Sequence, residues 1–136
     1  MIRPIMHDPL FLSRPSQEAT AADLPVLTDL VDTLLYHRKG CVGMAANMIG
    51  VHKRIIAFDD AGMIKTMMNP QIIAKSGEYE AEEGCLSLAG TRKTRRYDKI
   101  TVRFDTPFGE KQTQQFSGWT AQIIQHEIDH CNGVLI

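Results

Sequence analysis

Five residues near the end of the chain, His126-Glu127-Ile128-Asp129-His130, constrain it more than any other stretch. The pattern H-E-x-x-H acquires chemical meaning on a helix, where positions i and i+4 share a face and both imidazoles reach one metal ion. The carboxylate between them then projects beside that ion. There it can take a proton from a water that the metal acidifies from 15.7 towards about 7.

The flanking residues support such a helix. Ser117 is an acceptable N-cap, and the element is expected to run to Cys131 or Asn132, before Gly133. Ala121, Ile124, Ile128 and Cys131 recur at helical spacing as a buried stripe, with Gln122, Gln125, Asp129 and Asn132 on a more polar side. A second helix is expected from Asp23 to Lys39, where Leu27, Leu30, Val31, Leu34 and Leu35 share one face. Asp23 stands as its N-cap, Pro25 fits the first turn, and His37-Arg38-Lys39 oppose the negative helix end before Gly40. This helix reads as core scaffold.

From Arg54 to Phe116 the texture changes to short apolar or alternating runs, such as Arg54-Ile55-Ile56-Ala57-Phe58 and Ile100-Thr101-Val102-Arg103-Phe104. These are expected strands. Turns are expected at Asp60-Ala61-Gly62, Asn69-Pro70, Ser76-Gly77 and Pro107-Phe108-Gly109, so the strands pair as hairpins or a meander. The fold class is α+β, with a helix on either side of a strand-rich middle.

Composition narrows the function. At 136 residues the chain is read as one domain, 1–136, with an ordinary 43% of hydrophobic and 23% of charged residues. Fifteen Lys and Arg against sixteen Asp and Glu leave a formal charge of −1, so no global field attracts a polyanion and direct DNA binding is not expected. The basic run Arg92-Lys93-Thr94-Arg95-Arg96 reads as a solvated edge or a set of internal salt-bridge donors. The start, MIRPIMHDPLFLSRP, has neither a signal-peptide core nor a membrane span, and a cytoplasmic location is expected. Three widely spaced cysteines argue against a disulfide framework.

A catalytic site of the zinc type takes three protein ligands and keeps a position for water, so the two histidines call for one more soft or borderline donor. Cys85, in Glu82-Glu83-Gly84-Cys85-Leu86-Ser87, is the natural candidate: Gly84 permits close backbone approach, and a metal would deprotonate the thiol outright. Cys131 fits the buried stripe of the helix, and Cys41 reads as a small packed residue.

Three segments occur in order: GCVGMAANMIG at 40–50, EEGCLSLAG at 82–90 and QHEIDHCNGVL at 125–135. Together they resemble the peptide deformylases, whose motifs are G-x-G-φ-A-A-x-Q, E-G-C-φ-S and Q-H-E-x-D-H; the second and third are matched at every defining position. The resemblance implies antiparallel strands packed around a central helix that carries H-E-x-x-H. It implies Cys85, His126 and His130 as ligands of one divalent metal, with Fe2+ the expected ion and Zn2+, Ni2+ or Co2+ able to replace it. Glu127 is then the general acid/base in removing the formyl group, as formate, from N-formylmethionyl peptides. The implied partners are those peptides as nascent chains, with the ribosome beside them; no oligomeric state is implied.

The resemblance further assigns the backbone N–H of Leu86 to a developing oxyanion and places Gly43 close to bound peptide. By position it also pairs Arg96 with Asp129, a carboxylate expected to orient the metal ligands. The first motif departs at two places. The family glutamine, a second oxyanion donor, is Met48 here, which has no N–H to give, and the first glycine is Cys41. Asn47 is adjacent but, in an extended segment, points the opposite way. Met44 and Ile124 read as core rather than as substrate contacts. Two alternatives stand beside the hydrolase: a weakly catalytic, metal-bearing protein that binds peptide or a ribosomal partner, which Met48 favours, and an H-E-x-x-H metalloprotease, which the thiolate ligand disfavours.

Overall fold

The computed structural model describes residues 1–136. Strand β2 (Ile55–Asp60) opens with the consecutive buried residues Ile55, Ile56, Ala57 and Phe58 because both of its faces are covered. Side chains alternate across a strand, so the run divides between two cores. Ile56 and Phe58 join Met67, Ile100, Val102 and Phe116 against helix α3 (Gly118–Cys131). Ile55 and Ala57 join Met44 and Met68 against Leu30 and Leu34 of helix α2 (Leu24–Tyr36).

Between the two helices lies one five-stranded antiparallel sheet in the order β1 (Gly43–Ala45), β2, β3 (Met63–Cys85), β4 (Leu88–Asp105), β5 (Lys111–Ser117). Each strand pairs with the next, as a meander. The expected α+β class is therefore observed. A short helix α1 (Pro9–Leu12), capped by Asp8, precedes α2. No helix is long and apolar enough to cross a membrane.

Two of the expected turns are turns: Ala61 and Gly62, both at positive φ, join β2 to β3, and Pro107-Phe108-Gly109 joins β4 to β5. The other two lie inside β3. At Asn69-Pro70 the register with β4 shifts between Met68 and Gln71, and Asn69 takes φ 52°. A bulge accepts the missing N–H of proline, and asparagine tolerates the left-handed region, so the strand bends without ending. The Asn69 side chain also holds Ala19, accepting from its N–H at 2.7 Å and donating to its carbonyl at 2.9 Å. At Gly77, φ is 78° and an added Cβ would lie 3.0 Å from Asp98 Cβ. Here glycine lets a paired strand continue rather than turn it.

The α2 boundaries also differ from expectation. A 3-10 turn at Ala21–Asp23 precedes the helix, capped by Thr20, and the Asp23 carboxylate accepts from Thr20 N–H at 2.8 Å instead of capping α2. Asp23 is thus used one turn early. His37, Arg38 and Lys39 fall beyond the last helical residue, Tyr36. The terminal helix begins after Ser117 and ends before Asn132, as its caps predict, although Ser117 makes no side-chain capping bond.

These elements position the site through the long β3–β4 ribbon. It runs beside α3, and its two-residue tip, Leu86-Ser87, brings Cys85 to the last turn of that helix. The His7 ring donates to the Ser87 carbonyl at 3.0 Å and ties the tip to the N-terminal segment.

Phe58 is fully buried and meets Phe116 edge to face, with centroids 6.1 Å apart. Phe58→Ala is expected to cost about 3–5 kcal/mol, read as a lowered urea midpoint at unchanged m-value. A loss below about 1 kcal/mol would show that the layer between sheet and α3 collapses around the missing ring.

Candidate metal centre

Helical geometry brings His126 and His130 together as the spacing requires. Their Nε2 atoms are 3.1 Å apart, and the Sγ of Cys85 lies 3.3 Å from His130 Nε2. One ligand atom from each of the three residues lies within 4.8 Å of the others. Burial pushes His130 down to about 3, and the charge of His126 pushes in the same direction, so its ring stays in the neutral form that ligates a metal. Two imidazoles and a thiol converging on one point suit a borderline divalent cation and leave no single proton able to satisfy all three.

A residue unassigned at the level of sequence holds this arrangement. Glu83, in the same E-E-G-C segment as Cys85, is 8% exposed and accepts from His126 Nδ1 at 2.9 Å. That bond fixes the tautomer and turns Nε2 towards the other donors. Arg96 grips the same carboxylate with two bonds, Nε to Oε2 at 2.9 Å and Nη2 to Oε1 at 2.7 Å. Burial alone would raise the Glu83 carboxyl, but the bonds from His126 and Arg96 outweigh it and hold it down to about 2. The signal was available: residues i and i+2 of a strand share a face, so Glu83 accompanies Cys85.

Arg96 does meet Asp129, at 2.7 Å from Nη1, and so belongs to the internal ion-pair set of the basic run. Asp129 touches neither histidine ring and bears on them only through Arg96 and Glu83, so the orienting carboxylate in direct contact is Glu83. The exposed members of the run, Lys93 and Arg95, pair across the ribbon with Glu80 and Glu78.

Glu127 occupies the wall of a cavity of about 210 Å³ that also takes in Cys85 and His126. Its carboxylate is 3% exposed, Oε1 has no hydrogen-bond partner, and burial pushes its pKa up to about 7. Gly43 makes room for it. The glycine belongs to β1 rather than to a turn after α2, and a Cβ there would lie 2.7 Å from Glu127 Oε2 and 2.8 Å from Ile123 Cγ2.

Met48 and Leu86 line the same cavity. Met48 is 1% exposed and lies in a 3-10 turn, Ala46–Ile49, not in an extended segment. Asn47 nevertheless points elsewhere, its Nδ2 donating to the His130 carbonyl at 3.0 Å, so it gives the cavity no donor. Cys41 is more than a packing residue: it lines the cavity, donates to the Gly43 carbonyl at 3.0 Å, and is pushed up to about 11 by burial and then by Glu127. Cys131, by contrast, is buried in the core as expected, as are Met44 and Ile124. Gln125, expected on the more polar side of the helix, is 4% exposed and clamps Tyr97, accepting from its N–H and donating to its carbonyl.

The polypeptide deformylase family model matches residues 2–136. A curated peptide deformylase of Clostridium beijerinckii is 53% identical over 137 residues, spanning all of both chains. One from Halothermothrix orenii is 40% identical over 134 residues, 94% of this chain and 85% of its own. Among solved structures, a peptide deformylase from Legionella pneumophila superposes with a TM-score of 0.89 at 35% identity, covering 99% of this chain and 83% of that one. A class I type b peptide deformylase from Acinetobacter baumannii with Met-Ala-Ser bound gives 0.89 at 28% identity, over 99% and 97%.

Glu83→Ala is expected to weaken Co2+ binding by about 10- to 100-fold, measured by competition with a chromophoric chelator. Asp129→Asn, which acts at one remove, should lose less. An unchanged Kd in Glu83→Ala would detach the carboxylate from the metal centre.

Proposed function

The chain belongs to the polypeptide deformylase family, and from that premise we propose that Cys85, His126 and His130 hold one divalent metal ion while Glu127 moves the proton of the reaction. The activity is the hydrolytic removal of the N-formyl group from formylmethionyl peptides of nascent proteins, with release of formate. When bound, the metal supplies Lewis acidity towards the formyl oxygen and acidifies water. Fe2+ is the ion we assign, with Zn2+, Ni2+ or Co2+ compatible with the same thiolate and imidazole donors.

The observation that carries this reading is Glu127. A buried carboxylate with an unpartnered oxygen, next in sequence to a proposed ligand and facing a cavity, has no structural reason to be acidic. With a pKa near 7 it accepts a proton from the attacking water and returns it to the leaving amine at neutral pH. His130 stays neutral, whereas at His126 burial is outweighed by the bonds to Cys85 and Glu83, which hold the pKa up to about 10, so its Nε2 would give up a proton to bind a metal ion. Leu86, at the ribbon tip, presents its backbone N–H to the developing oxyanion, and Gly43 lies along the peptide.

Met48 supports a second reading, that of a weak catalyst retaining peptide binding. The side chain in the glutamine position is buried in the cavity wall and has no proton to donate, so half of the oxyanion donation expected from the family is missing. A single such donor is worth about 10²–10³ in rate.

Protein loaded anaerobically with Fe2+ or Co2+ is therefore expected to release formate from a formyl-Met tripeptide. Glu127→Ala should lower the rate by about 10²–10⁴, and Met48→Gln should raise it towards 10²–10³-fold. Fully metallated protein that binds the tripeptide but releases no formate, in the wild type and Met48→Gln alike, would leave the binding reading in place of the enzyme.

A further inference from the structure

Glu83 has lone pairs for about four hydrogen bonds, and all four are used. Oε1 accepts from His126 Nδ1 and Arg96 Nη2, and Oε2 accepts from Arg96 Nε and, at 2.9 Å, from Gln122 Nε2. Gln122 stands one turn before His126 on the same face of α3 and lines the cavity. Its amide oxygen accepts from the Tyr79 hydroxyl of β3 at 3.0 Å. The two contacts select one orientation of the amide. Turned over, it would set its carbonyl against the Glu83 carboxylate and its NH2 against a hydroxyl that already has a proton to give.

From this geometry we infer that Gln122, held by Tyr79, is a positioning residue for the metal centre: it closes the last open lone pair of Glu83 and so fixes the carboxylate that orients His126. Arg96, which does not line the cavity, supplies two of the four bonds to the carboxylate. Gln122 lines the cavity, so without it water there would compete for the fourth lone pair of Glu83 and loosen the carboxylate against His126. Tyr79 acts only through Gln122, since its hydroxyl contacts no other member of the set. The ribbon thereby braces the metal centre at its tip through Cys85 and further back along β3 through Tyr79.

The inference rests on the assignment of Cys85, His126 and His130 as metal ligands, and its test separates the two. Co2+ binding and the visible spectrum of the Co2+-loaded protein are measured for the wild type, Gln122→Leu, Tyr79→Phe and the double variant, with urea unfolding of each metal-free protein alongside. Gln122→Leu is expected to raise the Kd for Co2+ by about tenfold and to shift the ligand-field bands. Tyr79→Phe should raise it about two- to tenfold in the wild-type background and not at all in Gln122→Leu. A lowered urea midpoint with wild-type Kd and spectrum would make both residues merely structural and overturn the inference, as would losses that multiply in the double variant. A wild-type protein that binds no Co2+ would overturn the ligand assignment itself.

Discussion

The buried carboxylate of Glu83 is the contact on which the arrangement depends. It joins β3, β4 and α3 at one point, through its own strand, Arg96 and His126. A charge so enclosed is tolerable only with its lone pairs filled and a counter-charge in contact. Arg96 supplies the counter-charge and two of the bonds, His126 and Gln122 supply the others, and Arg96 passes on to Asp129, so the ribbon and the helix are locked together.

That lock lets α3 carry polar groups where a core helix ordinarily carries aliphatic ones. Ala121, Ile124, Ile128 and Cys131 give it apolar burial, yet Gln125, His126, Glu127 and His130 are buried as well. Each of the first two has a defined partner: Gln125 borrows the backbone of Tyr97, and His126 has Glu83. Asn47 adds a side-chain bond to the His130 carbonyl at the helix end, which also accepts from Gly133 N–H. Glu127 Oε1 and His130 Nδ1 are left without partners, and both exceptions fall in the proposed reaction site.

The first motif shows how tertiary contacts give a sequence departure its weight. Gly43 is needed because β1 passes within a side chain's reach of Glu127, and its room belongs to the carboxylate. Met48 fills the position of an expected donor with a fully buried thioether, while the neighbouring amide of Asn47 is committed to the helix end. Cys41 brings a thiol to the same wall. The cavity is thus softer and poorer in donors than the family pattern implies.

Much of this was legible in one dimension because it obeys short-range periodicity. The pairing of His126 with His130 and the apolar stripe of α3 follow from the 3.6-residue repeat of a helix, its bounds from Ser117 and Gly133, and the strand at β2 from its short apolar run. The need for a third soft donor pointed to Cys85, and the family motifs added Arg96 opposite Asp129. What the periodicity leaves open is the partner across space. Asn69-Pro70 and Ser76-Gly77 carry the chemistry of turns, and only pairing with β4 on both sides made them a bend and a paired glycine within one strand. Asp23 is a good cap for either of two successive turns, and the bond to Thr20 decided which. Glu83, Gln122 and Tyr79 are ordinary polar residues until the ribbon lies against α3. Their meaning is a matter of hydrogen-bond distance between segments some 40 residues apart, a quantity that folding alone creates.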